Sequence, residues 1–166
     1  MAPPRPAIRH PQGARAGFAA VGAAGVAALV AATFTTVIQI TVGTTSRLAS
    51  LDTELSGWDR HGPALLVIAA FALVMLVGAA RGARPAIVAV AVCGAAALLI
   101  VLATDVPHLD DTGQVGRLYT DAVAGPQVGF WLELGGGALL VCAGAGLWLL
   151  AGAAAGAAER RAAVAA

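Results

Sequence analysis

Histidine and carboxylate side chains occur together at two places in this sequence, each beside a long apolar segment. Asp59 and His61 flank an arginine just before one apolar run, and Asp105 and His108 follow the end of another. Imidazole nitrogens and carboxylate oxygens are ligands for Zn²⁺ and Mn²⁺, so these segments together are a candidate site for a divalent cation. Their spacing matches no strict metal-ligand motif. The competing interpretation is helix capping and salt bridges with the arginines of the same loops, and whether a metal binds stays open.

Glu133 is the acidic residue that the sequence places within an apolar segment, between Gly129 and Gly137. Carboxylates inside a membrane helix are costly, tend to face the interior of the protein, and are candidates for function. Gln39, in an earlier apolar segment, is expected at a similar depth and is a candidate partner. One interpretation is a proton or cation site in a cleft that opens outward. The other is an interfacial glutamate that reaches water or caps a loop, because Trp131 beside it is typical of the membrane interface.

Four apolar runs must position these residues. No charged residue occurs within 16–46, 62–80, 85–104 or 134–158. A helix needs about 20 apolar residues to cross a bilayer, and runs of this kind cross as helices because lipid offers the backbone no hydrogen-bond partners. The sequence therefore predicts an all-α integral membrane protein with a bundle of four transmembrane helices. The predicted spans are about 17–41, 61–80, 85–104 and 128–156, within a membrane domain at 16–158.

Arginine placement predicts the orientation. Seven of the ten arginines lie before the first run, between the second and third, or after the fourth. By the positive-inside rule, these segments are predicted to be cytoplasmic. Both termini are therefore expected in the cytoplasm, as a disordered basic tail at 1–15 and a short tail at 159–166. Seven of the nine acidic residues fall in the two outer loops, which makes the outer face acidic. The chain lacks Lys and Asn and is rich in Ala, Gly and Arg, a bias associated with high-GC bacteria. We expect a bacterial multi-pass protein of the plasma membrane.

Apolar residues recur at helical spacing in both outer loops. In the first loop, the apolar stripe consists of Leu48, Leu51, Leu55 and Trp58. This spacing predicts a short helix near 46–56 that ends at Gly57. In the second loop, the apolar residues predict another helix before Gly125, from the face Val115, Leu118, Tyr119, Ala122 and Val123. Two short amphipathic helices are thus expected to cover the outer end of the bundle.

Composition and motifs limit the function. With 59% hydrophobic and 11% charged residues and a mean hydropathy of +0.84, the chain has too few polar residues to coat a soluble globule. A net charge of +1 without a clustered basic face argues against a nucleic-acid partner. No cofactor is expected, since there is no CxxC motif and the Gly144–Ala–Gly146 sequence lies inside a span instead of after a strand. No nucleophile and base converge, so an enzyme is not predicted.

Two functions stay open from the sequence. The first is a non-enzymatic accessory or scaffold component that acts through helix packing and its acidic outer face. Its partners would be the lipid bilayer and another membrane protein or a second copy of the chain. The second is a small transporter or a membrane protein that binds a ligand or ion in an outward-facing polar site. That site would include Glu133, Gln39 and the loops with Asp59, His61, Asp105 and His108. The first is preferred, because no charge is predicted in the deep half of any span.

Overall fold

The computed structural model describes residues 11–42 and 54–165. Its elements, in chain order, are α1 (Pro11–Thr33), β1 (Thr36–Thr41), β2 (Glu54–Ser56), α2 (Gly57–His61), α3 (Ala64–Ala80), α4 (Arg84–Ile100), α5 (Gly113–Leu118), β3 (Val123–Pro126) and α6 (Val128–Ala165). Between α4 and α5 the chain forms a π-helical turn at Val101–Asp105 and a 3₁₀ turn at Val106–His108.

The four longer helices α1, α3, α4 and α6 form the body of the protein. Helices α1 and α4 each pack against both α3 and α6. Within the described residues, three helical segments are long and apolar enough to cross a membrane, whereas α3 is a shorter apolar helix of 17 residues. Large apolar side chains cover the outer surface of these helices: Val67, Phe71 and Leu149 are 64%, 51% and 71% exposed. The protein is therefore mostly helical, with an apolar exterior compatible with a membrane.

Glycines allow α6 to approach α1 and α4 closely. A Cβ atom added at Gly136 in α6 would lie 3.0 Å from the carbonyl oxygen of Gly25 in α1. One added at Gly94 in α4 would lie only 2.6 Å from the carbonyl oxygen of Gly137. Close approach of backbones through small residues is typical of helix packing in membranes, where dispersion contacts replace the hydrophobic effect between helices. These two contacts fix α6 between its neighbours.

A three-stranded antiparallel sheet lies at one end of the helices, and the all-α prediction missed it. Strand β1 lies between β2 and β3, with Ile38 opposite both Leu55 and Pro126. The predicted first span at 17–41 is wrong in its last part, because α1 ends at Thr33. Three of the six residues of β1 are valine or isoleucine, and these side chains are stiff at χ1 and pack well on a sheet. Their buried side chains form a second small core with Val101 and Phe130.

The first predicted tail and the loop helices also differ from the structure. Residues 11–15 belong to α1 instead of a disordered tail. The helix α6 continues to Ala165, through most of the segment 159–166, for which the sequence predicts only a cytoplasmic location. In the first loop, most of the predicted helix at 46–56 lies outside the described residues. The helix there, α2, begins at Gly57, where the predicted one would end. In the second loop, α5 covers Gly113–Leu118, but the rest of the predicted apolar face lies in a turn and in β3.

We predict that Gly94→Ala destabilises the protein, whereas Gly135→Ala does not. A methyl group at Gly94 would overlap the backbone of α6, and overpacking of this kind costs about 1–3 kcal/mol. Gly135 is the matched control, because a Cβ atom there has no neighbour within 4 Å, and alanine favours the helix. Thermal unfolding of both variants in the same detergent measures the difference. Equal melting temperatures for the two variants would contradict the packing described above.

Candidate cation site

His61, Asp105 and Glu133 come together at the end of the helices that carries the sheet. They belong to three segments: His61 ends α2, Asp105 ends the π-helical turn after α4, and Glu133 lies in α6. The Nε2 atom of His61 lies 2.9 Å from Oδ2 of Asp105 and 3.6 Å from Oε2 of Glu133. One nitrogen and two carboxylate oxygens thus lie within 4.8 Å of one another. Both carboxylate side chains are fully buried, and the His61 side chain is nearly so.

Helix α2 holds His61 in place through a capping box at its first turn. The hydroxyl of Ser56 donates to Oδ2 of Asp59 at 2.6 Å and accepts from the backbone N–H of Asp59 at 3.3 Å. The backbone N–H of Ser56 also donates to this carboxylate. These hydrogen bonds stabilise the charged form and hold the pKa of Asp59 below its usual range. Asp59, a candidate site residue from the sequence, therefore lies outside the cluster. It caps a helix, which agrees with the alternative interpretation of the loop residues as helix caps.

Asp105 is held by two basic side chains from the end of α2. Its Oδ1 atom accepts from Nε of Arg60 at 2.6 Å, while its Oδ2 atom faces His61. Arg60 also donates from Nη2 to the carbonyl oxygen of Thr104, at 2.7 Å. The π-helical turn at Val101–Asp105 supplies both acceptors, and such turns are frequent at functional sites. Arg60 therefore fixes the orientation of the carboxylate and leaves one of its oxygens directed at the cluster.

Glu133 is fully buried, and neither of its carboxylate oxygens has a hydrogen-bond partner. Gly57 covers it from the side of α2, since a Cβ atom there would lie 3.0 Å from Oε1 of Glu133 and 2.6 Å from the carbonyl oxygen of Ala32. The interpretation of Glu133 as an interfacial residue that reaches water is therefore wrong. The expected partner Gln39 lies elsewhere, in β1, where it donates to Oε1 of Glu54 at 3.2 Å.

An open cavity of about 460 Å³ lies beside the cluster. Its lining includes Ile38 and Ile40 of β1, Arg60, His108 and the first residues of α5. Arg60 thus contributes to the cavity lining and also bonds Asp105 of the cluster. His108, another candidate from the sequence, lies at the cavity and contacts the carbonyl oxygen of Thr104 through Nδ1 at 2.8 Å. It is not a member of the cluster.

The charges of the cluster do not balance unless it takes up a cation. Arg60 supplies one positive charge against two buried carboxylates, so one negative charge remains when His61 is neutral and both acids are ionised. An uncompensated charge away from water is costly. A proton on His61 or on Glu133, or a metal ion between the three side chains, would balance the charge.

The sequence contained a signal for the burial of Glu133 that the interfacial interpretation overlooked. Residues three or four apart share one face of a helix. Gly129, Glu133, Gly136, Gly137 and Leu140 follow this spacing in α6, and all five are buried. Because small residues mark the packing face of a membrane helix, Glu133 in register with three glycines points into the protein.

Comparisons with protein-family models, with curated proteins and with solved structures return no match.

We predict that Arg60→Gln destabilises the protein by roughly 3 kcal/mol. The substitution removes the arginine partner of the buried Asp105 and leaves only His61 beside it, and breaking a buried pair costs about 3–5 kcal/mol. We take the lower end because the Arg60 side chain is 17% exposed. Arg117→Gln is the control, since Arg117 is exposed and a surface substitution changes stability by about 0.5 kcal/mol at most. Unfolding curves that shift equally for both variants would show that the Arg60–Asp105 pair contributes little.

Proposed function

We propose that this chain is a bacterial multi-pass protein of the plasma membrane that binds a cation near the outer surface, at His61, Asp105 and Glu133. The observation that carries the proposal is the complete burial of Glu133 without a hydrogen-bond partner. Buried polar groups without partners are rare, and each requires an explanation. A bound cation explains this one, because it would supply the close partner that both oxygens lack; Nε2 of His61 lies 3.6 Å from Oε2, beyond hydrogen-bond distance.

In this proposal α1, α3, α4 and α6 are the four membrane spans. The exposed apolar side chains on these helices support it, since a surface of this kind is unusual in a water-soluble protein. Trp131 and Trp148 in α6 are both more than half exposed, and their spacing corresponds to about 26 Å along the helix, as expected for two interfacial belts. The 17 residues of α3 also span about 26 Å. With both termini cytoplasmic, the cluster and the sheet face outward.

Binding is favoured over transport through the bundle. Beyond the cluster, the helices pack through buried apolar side chains, among them Leu29, Leu76 and Leu140. A path for an ion through the membrane normally requires polar or charged groups along its length. The cluster lies at one end of the helices, next to the outer cavity, so the proposed function is reversible binding of a cation from the outer side.

An accessory or scaffold role is the second candidate. A groove of about 530 Å³ between α4 and α6 is lined almost entirely by apolar groups, including Ala91, Val92 and Trp148. Such a groove suits a lipid chain or a helix of a partner protein. We rank this role second because it gives no reason for the buried carboxylate of Glu133. Neither candidate requires catalysis.

The replacement Glu133→Gln tests the proposed function. We expect one or more ions among Na⁺, K⁺, Mg²⁺, Ca²⁺, Mn²⁺ and Zn²⁺ to raise the melting temperature of the wild-type protein in nanodiscs. A ligand at 100 times its Kd stabilises the folded state by about 2.7 kcal/mol. The Glu133→Gln protein should show no such rise, because the neutral amide cannot replace a carboxylate ligand.

Glu54→Gln is the matched control, since Glu54 is an exposed carboxylate at the same end of the protein, and it should respond to the ion as the wild type does. The stability of the two proteins measured without any added ion distinguishes ion binding from a purely structural role of Glu133. A carboxylate without partners is more costly to bury than an amide, so Glu133→Gln should be at least as stable as the wild type without the ion. If no ion stabilises the wild type more than Glu133→Gln, the protein does not bind a cation through this residue.

A further inference from the structure

We infer that the cation is a divalent transition metal of the Zn²⁺ type, coordinated by Nε2 of His61, Oδ2 of Asp105 and one or both oxygens of Glu133. This inference rests on the proposed cation site and names its ligand. It is carried by two independent observations, the mutual distances of the three donor atoms and the absence of any other partner for Glu133 among the described residues.

The distances match those of a small coordination sphere. Zn²⁺ lies about 2.0–2.2 Å from nitrogen and oxygen ligands, so two ligands of a tetrahedral site are about 3.4 Å apart. The separations from Nε2 of His61 are 2.9 Å to Asp105 and 3.6 Å to Glu133, on either side of this value. The third separation, between the carboxylate oxygens of Asp105 and Glu133, is at most 4.8 Å. One ion can therefore contact all three donors if the two carboxylates turn toward each other.

The donor set favours a transition metal over Ca²⁺ or Mg²⁺. Ca²⁺ takes six to eight oxygen ligands, and Mg²⁺ keeps several waters in a near-octahedral shell. Here a nitrogen donor joins two carboxylates in a buried space, a combination typical of Zn²⁺ and Mn²⁺. Arg60 and Thr104 would act as outer partners, because Arg60 bonds the far oxygen of Asp105 and the carbonyl oxygen of Thr104. Three protein ligands leave a fourth position for water or another molecule.

Metal content and metal binding test the inference. The full-length protein, purified through a tag without histidine into nanodiscs, is analysed for bound metals and then titrated with Zn²⁺, Mn²⁺ and Co²⁺ after treatment with a chelator. We expect close to one metal ion per chain in the wild type. His61→Ala and Glu133→Gln should bind the metal at least about 100-fold more weakly, since loss of an outer partner alone costs roughly 10–100-fold. His108→Ala is the matched control and should bind as the wild type does, because His108 lies outside the cluster.

The visible spectrum of bound Co²⁺ gives a second readout that depends on coordination and not on stability. The wild type and His108→Ala should show the intense absorption of low-coordinate Co²⁺, and Glu133→Gln should not. Gel filtration and circular dichroism establish that each variant is folded. A variant that fails to fold is replaced by Asp105→Asn, which keeps the shape of the side chain.

The possible results separate this inference from the proposed function. Metal that stays bound in folded His61→Ala and Glu133→Gln would overturn the assignment of the ligands. If Na⁺, K⁺, Mg²⁺ or Ca²⁺ stabilises the wild type through Glu133 while Zn²⁺, Mn²⁺ and Co²⁺ do not bind, the transition-metal inference is wrong and the cation site stands. If no metal ion binds and the cluster takes up only a proton on His61, both are wrong.

Discussion

The close contact of α6 with α1 and α4 is the constraint on which the site depends. Gly136 and Gly137 bring the three backbones together and fix both the height and the rotation of α6. Glu133 lies one turn before these glycines on the same face, so it must point between the helices. The carboxylate is therefore buried as a consequence of packing, and its local sequence offers it no hydrogen bond in return.

The end of the protein that carries the sheet supplies the other members of the cluster. Strand β2 leads directly into α2, so the pairing of β1 with β2 sets the position of His61 above α6. Gly57 lets α2 approach the end of α1, and Gly129 lets the start of α6 approach β1, because a Cβ atom there would lie 2.7 Å from the carbonyl oxygen of Thr36. Small residues at these two points allow α2 and the sheet to pack closely against α1 and α6, and the side chains of the cluster are buried there.

The helices could be predicted from the sequence, but the strands and the convergence of the site could not. Long apolar runs determine helices locally, and the predictions for α3, α4 and α6 follow from them. Residues 36–41 continue the first run in hydropathy, and their β-branched side chains were the only local sign of a strand. His61, Asp105 and Glu133 were all candidates, yet Asp59, Gln39 and His108 fitted the same criteria equally well. Only pairing between distant segments separates the cluster from residues with local roles, and spacing along the chain carries no information on such pairing.

The position of the cluster also limits what a bound cation can do. It lies where α2, the π-helical turn and α6 meet, and these segments are far apart in the sequence. An ion held by His61, Asp105 and Glu133 would connect all three, whereas the apolar packing beneath offers it no route across the helices. In the proposed function, the binding energy of the ion would therefore stabilise the packing of these segments against one another. Arg60 both bonds Asp105 and lines the outer cavity, so a cation bound at the cluster would act on that cavity through this side chain.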